Sequence, residues 1–547
     1  MLTLLLLAWA AATPSETAAE IDANASALRP ALERYAADEA VLKRKYPEIL
    51  GPERRERMRA FYTEWAARIE KIPFTNLNAE GRIDWVLFHN QLGKELRSLT
   101  LADQAEAATT AFVPFRHAIR TLESSRAKML VVDPEKSAAT LHALARQVKA
   151  LDRSKPSNQA SAEVELLRAA LKRWFNYYIG YDPLFTWWAA EPYKAADSEL
   201  AKYAEALKQK EGGGIRVGRE RLLSELQAEM IPYTPEELVA LANKEFAWCT
   251  DEMKKASREM GFGDNWRQAL EKVKTLHVPP GQQPEMIRRL AREAEEWVES
   301  RGLVSVPPLA KEVWRMEMMT PERQLINPFF TGGEVISVSY PTAEMTQEQK
   351  LMSMRGNNEH FARATVHHEL IPGHHLQMFM NQRYRTWRRP FSTPFSLEGW
   401  ALYWELVLWD KGFARSPEDR VGMLFWHMHR CARIIFSLSF HLGTMTQKEC
   451  VDMLVERVGH ERDNAEAEVR RSFESPSYGP LYQAAYLLGG LQLRSLRREL
   501  VDTGKMTERD FHDRILRENQ IPVEMMRAAL RGDIVEKSFQ TSWKFYE

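Results

Sequence analysis

Between positions 363 and 382 the chain reads RATVHHELIPGHHLQMFMNQ, so four histidines and a glutamate fall within nine residues. The whole chain of 547 residues holds fourteen histidines, so this clustering constrains the fold more than any other feature. Several imidazoles and a carboxylate together are costly to bury without a cation. In the common zinc motif His-Glu-x-x-His, two imidazoles one helical turn apart bind the metal, and the Glu between them faces an activated water. The spacing here differs, because His368 and His374 are six residues apart. On a regular helix of about 100° per residue they would point about 240° apart. The pairs His367/His374 and His368/His375 share a face, but they lie about 10.5 Å apart along a regular axis. One zinc with bonds of about 2.0–2.1 Å does not bridge that distance.

Pro372-Gly373 offers a way out. Pro372 has no N–H, so it leaves the carbonyl of His368 without its helical donor, and Gly373 tolerates unusual backbone angles. Together they can widen the coil, as π-bulges do, and return His374 to the face of His368. In this reading His368 and His374 bind one zinc per chain and Glu369 is the general base. His375 is a secondary contact, or replaces His374 if the coil does not widen.

A third protein ligand is expected from a neighbouring helix. FSLEGWALYWELVLWD supplies Glu398 and, seven residues on, Glu405 on the same face. Apolar residues surround both acids, so each needs a partner. Glu398 is read as the ligand and Glu405 as the group that orients a histidine. Gly399 would let that helix approach another closely.

Most of the remaining chain carries apolar residues at three- and four-residue steps, broken by Pro and Gly, which predicts helix after helix. One stretch departs from this. GGEVISVSY (332–340) is rich in strand formers after a glycine pair and predicts a short strand or hairpin just upstream of the histidines. The expected fold is mainly α: a large two-lobed helical protein with a deep cleft. The N-terminal lobe would span 13–300 and the catalytic lobe 301–547. Lys plus Arg (75) equals Asp plus Glu (75), so the broad basic field of a nucleic-acid binder is missing. The sixteen tryptophans either pack helices together or line a substrate channel. The three cysteines, Cys249, Cys431 and Cys450, match no Cys-based zinc pattern. They read as small buried apolar residues, with a Cys431–Cys450 disulfide as the alternative.

Residues 1–12, MLTLLLLAWAAA, form a short apolar run ending in small residues and read as a secretory signal peptide. The run is too short to span a bilayer as a mature helix. The mature protein is therefore expected to be soluble and exported, periplasmic or secreted, with no membrane span.

Two segments, HELIPGHHLQ (368–377) and EGWALYWE (398–405), together resemble the paired signature of the bacterial family DUF885, a domain of unknown function. HRCARIIFSLSFHLGTMTQKE (429–449) and SPSYGPLYQAAYLLGG (475–490) are similar to further family segments, and RIDWVLFHNQL (82–92) matches loosely. The resemblance implies a helical fold similar to gluzincin metallopeptidases, with two His and one Glu as zinc ligands. It aligns Tyr486 with a family Tyr able to donate to an oxyanion. Where an acid is expected before His441, this chain has Ser437. His441 could stabilise a transition state or sit in the core, and Arg430 or Arg433 could hold a substrate carboxylate or form structural ion pairs. The function these residues point to is zinc-dependent hydrolysis, with a peptide or small amide as substrate. The competing readings are hydrolysis of a non-peptide amide or ester, and an inactive exported protein that binds peptides.

Overall fold

A computed structural model of the chain describes residues 26–48, 51–208, 214–324, 329–475 and 478–546. The expected signal peptide at 1–12 lies outside the described residues. Apart from two short strands, the regular elements among the described residues are helical, as the periodicity requires. None of these helices is long and apolar enough to cross a membrane.

The helices that position the site are α1 (Ala79–Thr109), α2 (Pro235–Glu259), α3 (Gln283–Ser300), α4 (Glu359–Glu369), α5 (His374–Asn381), α6 (Pro394–Asp410), α7 (Pro417–Leu442), α8 (Arg462–Glu474) and α9 (Tyr482–Arg497). Their boundaries follow local chemistry. The Asn358 side chain accepts from the backbone N–H groups of His360 and Phe361 and so starts α4. Thr393 and Ser416 cap α6 and α7 in the same way, each with proline in the first turn. Gly443, with φ of 82°, ends α7 in the left-handed region.

The strands are β1 (Arg315–Met318) and β2 (Val335–Val338). β2 is the strand expected from VISV, but it does not fold into a hairpin of its own. It pairs in parallel with β1, Arg315 opposite Val335 and Met318 opposite Val338. One isolated antiparallel bridge joins Thr331 to Ser337.

Among the described residues, buried apolar side chains gather into three clusters. The largest runs from Leu28 to Phe545 and includes α2, α6, α7 and α9. A second gathers Val113 and Phe115 with residues of the helices between Arg116 and Leu207. The third joins α3, β2 and α4 through Ile287, Leu290, Ile336, Val338 and Val366, and it sets the strand against the metal-motif helix. Trp65, Trp85, Trp174, Trp400 and Trp404 are buried helix-packing residues, and Trp426 lines the central cavity. Trp187 lies on the surface, 83% exposed.

The segment 82–92 forms part of α1. There Asp84 accepts from Trp387 Nε1 (2.8 Å) and Arg388 Nε (2.7 Å). Asp84 and Arg388 are both fully buried. Arg388 also pairs with Glu518, so one guanidinium joins three distant parts of the chain. All three cysteines are buried and free. The alternative Cys431–Cys450 disulfide is therefore not made: Cys450 Sγ points at the carbonyl of Phe436, 3.8 Å away.

Candidate metal centre

The metal motif does not form one widened coil. α4 ends at Glu369, Leu370 turns out of the helix, and the Ile371–Pro372 peptide is cis. A new helix, α5, starts at His374. The reason is local. Proline cannot supply the next helical N–H, and the chain doubles back so closely that Gly373 N donates to the carbonyl of His367 at 2.9 Å. A Cβ on Gly373 would lie 1.9 Å from the carbonyl oxygen of His368. Only glycine allows that approach. The break achieves what the bulge was expected to do, and the rings of His368 and His374 meet edge to face with centroids 4.8 Å apart.

Glu398, from α6, completes the group. Its Oε2 lies 3.2 Å from His374 Nε2 and 3.9 Å from His368 Nε2. One donor atom from each of the three residues lies within 4.8 Å of the other two, and all three residues are buried. Glu398 Oε2 makes no well-formed hydrogen bond although it is buried. An orphaned carboxylate oxygen facing two imidazole nitrogens fits a divalent cation, and two His with one Glu is a donor set that suits zinc.

The surrounding residues hold these donors in place. His368 Nδ1 lies 2.7 Å from Glu405 Oε1, and Arg430 Nη2 donates to the same oxygen at 3.0 Å. This contact is the one an orienting partner of His368 would make. Burial pushes the Glu405 carboxyl up, but Arg430 and His368 outweigh it and bring it down to about 2. Burial likewise opposes charge on Glu398. His374, His368 and the Tyr482 hydroxyl outweigh it, and its carboxyl also falls to about 2. Both acids are therefore ionised, as ligation requires. His374 is buried too, yet the Glu398 and Glu369 carboxylates raise its pKa.

Glu369 faces the same cavity, which has a volume of about 250 Å³. The segment leading to β2 presses on it. Gly333 N donates to the Glu369 carbonyl at 3.2 Å, and a Cβ on Gly332 would come within 2.5 Å of Glu369 Oε2. Tyr486 lines the cavity with its ring nearly parallel to that of His368, centroids 6.2 Å apart. The guanidinium groups of Arg430 and Arg433 lie 5.0 and 4.4 Å from the Tyr486 ring centroid.

One expectation is corrected, and two open alternatives narrow. His375 turns away from the centre, its Nε2 2.7 Å from the carbonyl of Ala310, so it neither replaces His374 nor lines the cavity. His441 sits in the core against Phe440 and Phe473, where burial lowers its pKa to about 4. Arg430 and Arg433 make the ion pairs considered for them, with Glu405 (3.0 Å) and Glu468 (2.7 Å), from positions on the cavity wall. Glu468, the partner of Arg433, lies on α8.

Sequence reasoning missed Tyr482, whose hydroxyl donates to Glu398 Oε1, and Tyr478 and Arg471, which line the cavity. The tyrosines left a signal, since Tyr478, Tyr482 and Tyr486 recur every four residues, the spacing of one helical face.

Comparison with known proteins gives the same picture of the fold. A protein of unknown function from Shewanella oneidensis, described as a candidate lipoprotein, superposes with a TM-score of 0.66 at 17% identity, covering 93% of this chain and all of that one. A candidate lipoprotein from Colwellia psychrerythraea gives a TM-score of 0.61 at 14% identity, covering 92% of this chain and 97% of that one. No curated protein matches. The family model for bacterial proteins of unknown function, DUF885, matches residues 30–530, and the chain belongs to that family.

Proposed function

We propose that this chain is a zinc-dependent hydrolase that cleaves peptide bonds, with His368, His374 and Glu398 as the metal ligands. The observation that carries the reading is the convergence of those three donor atoms on one buried point, in a cavity that also holds Glu369. A zinc ion held there lowers the pKa of water to about 7 and polarises a carbonyl. Glu369 takes the proton from the attacking water and passes it to the leaving nitrogen. Gly332 leaves no free space beside that carboxylate, which limits the rotamers Glu369 can take. Glu405 fixes the ring of His368 through Nδ1, leaving Nε2 for the metal. The Tyr486 hydroxyl donates to the oxygen on which charge develops. The gluzincin metallopeptidases are the functional analogy. The two solved structures compared above are described as candidate lipoproteins, which supports placing this protein outside the cytoplasm.

The test is digestion of a mixed peptide library by the zinc-loaded protein and by Glu369→Gln, with products read by mass spectrometry. Cleavage by the native chain is expected, with a loss of about 10²–10⁴-fold in the variant and no loss of metal. Unchanged turnover in the variant would remove Glu369 from the mechanism. No cleavage of any peptide or small amide by the native protein would contradict the hydrolase reading.

A further inference from the structure

A second group of metal-binding side chains lies where α2 packs against α7. Glu245 and Cys249 are one turn apart on α2, and His427 and Cys431 are one turn apart on α7, so each pair shares a helix face. The two faces meet. One donor atom from each of Cys249, His427 and Cys431 lies within 4.8 Å of the other two. Both cysteines have no exposure, and His427 has 9%. Glu245 Oε2 sits 3.2 Å from His427 Nε2, while Tyr546 donates to the other oxygen, Oε1, at 2.7 Å. That bond turns Oε2 toward the cluster. His427 Nε2 makes no well-formed hydrogen bond despite its burial.

Apolar side chains flank these four groups along both helices. Leu238, Phe246 and Met253 on α2, with Leu424, Met428 and Leu438 on α7, are all buried. Two thiols, an imidazole and a carboxylate gain little from such surroundings unless something binds them together. Two ligand pairs on facing helices is how helical bundles build metal sites in their cores. Thiolate with imidazole selects zinc over hard cations such as magnesium or calcium. The group shares no residue with the His368 centre.

We propose that Cys249, His427 and Cys431 bind a second zinc ion, with Glu245 closing the fourth position, and that this ion pins α2 to α7. Four protein ligands, with both cysteines fully buried, make it a structural site rather than a catalytic one.

The experiment replaces zinc with cobalt in the full-length, thiol-reduced protein. Bonding of thiolate to cobalt gives a charge-transfer absorption in the near ultraviolet that a site of two His and one Glu cannot produce. The band is expected in the native protein and in Glu398→Ala, and also in Cys450→Ser. It should disappear in Cys249→Ser and in Cys431→Ser, each with about one zinc fewer per chain. Retained helical circular dichroism in those variants would show that the loss is not unfolding. Absence of the band in the reduced native protein would overturn the proposal, as would a band that survives both substitutions. A Cys249–Cys431 disulfide found by peptide mapping of protein isolated without reductant would also overturn it.

Discussion

Glu398 shows how much one side chain settles at the residue scale. One of its oxygens takes the Tyr482 hydroxyl, which leaves the other to face His368 and His374. Partners of this kind orient ligands, and their loss costs about 10–100-fold in metal affinity. Tyr482→Phe is therefore expected to weaken zinc binding by about that factor, measured by competition with a chelator, while the fold is kept. Unchanged affinity would mean that Tyr482 does not position the ligand. The three candidate ligands were legible because imidazoles and carboxylates among apolar residues need a partner. Tyr482 was not, because it meets Glu398 across 84 positions of sequence. The same distance problem hid the pairing of Arg433 with Glu468, 35 positions apart. His375 misled for the same reason: it sits beside a ligand candidate in sequence, but its partner, Ala310, lies 65 positions away.

At the scale of elements, the site depends on backbone meeting backbone. α6 carries Glu398 and Glu405, and it crosses α9 where Gly399 faces Gly489 and Gly490. A Cβ on Gly399 would stand 2.6 Å from Gly489 Cα, and a backbone atom cannot swing aside as a side chain can. Gly399→Ala is expected to cost about 1–3 kcal/mol, read by chemical denaturation. A neutral result would show that the two helices are free to separate. The need for glycine beside Glu398 could be read in the sequence, although its partner helix could not. Pro372-Gly373 likewise announced a departure from a regular helix. Whether it would be a bulge or a break was decided by the return of Gly373 onto the carbonyl of His367, a contact that no periodicity records. The β2 strand was visible in VISV, but its partner lies 20 residues upstream in RMEM, an alternating segment only four residues long and largely exposed, too short to stand out by periodicity.

The whole molecule is held by residues drawn from both ends of the chain. The Asp84–Arg388–Glu518 cluster is buried, and leaving any one of its charges unpaired is costly. The helical class was plain from periodicity, whereas long-range ties of this kind were not. Burial also gives the molecule a pH dependence. It lowers the pKa of His367 and His460 to about 3, and of His441 and His512 to about 4. The folded state keeps these four neutral, while the unfolded chain takes up protons near its ordinary value of 6.5. Where the unfolded state binds more protons, stability falls with falling pH. His374 and His427, whose values are raised, work in the opposite sense but are fewer. The metal-free protein is thus expected to lose stability steadily as pH drops from about 6.5 toward 4, seen as a falling denaturation midpoint. A midpoint that holds or rises over that range would contradict the burial of these rings.

The central claim is that His368, His374 and Glu398 hold a metal ion, and elemental analysis of the purified protein beside His368→Ala tests it most directly. The expected result is about one zinc per chain fewer in the variant than in the native protein, with the helical spectrum unchanged. Equal zinc content in the two proteins after incubation with the metal, or none in the native chain, would contradict the claim.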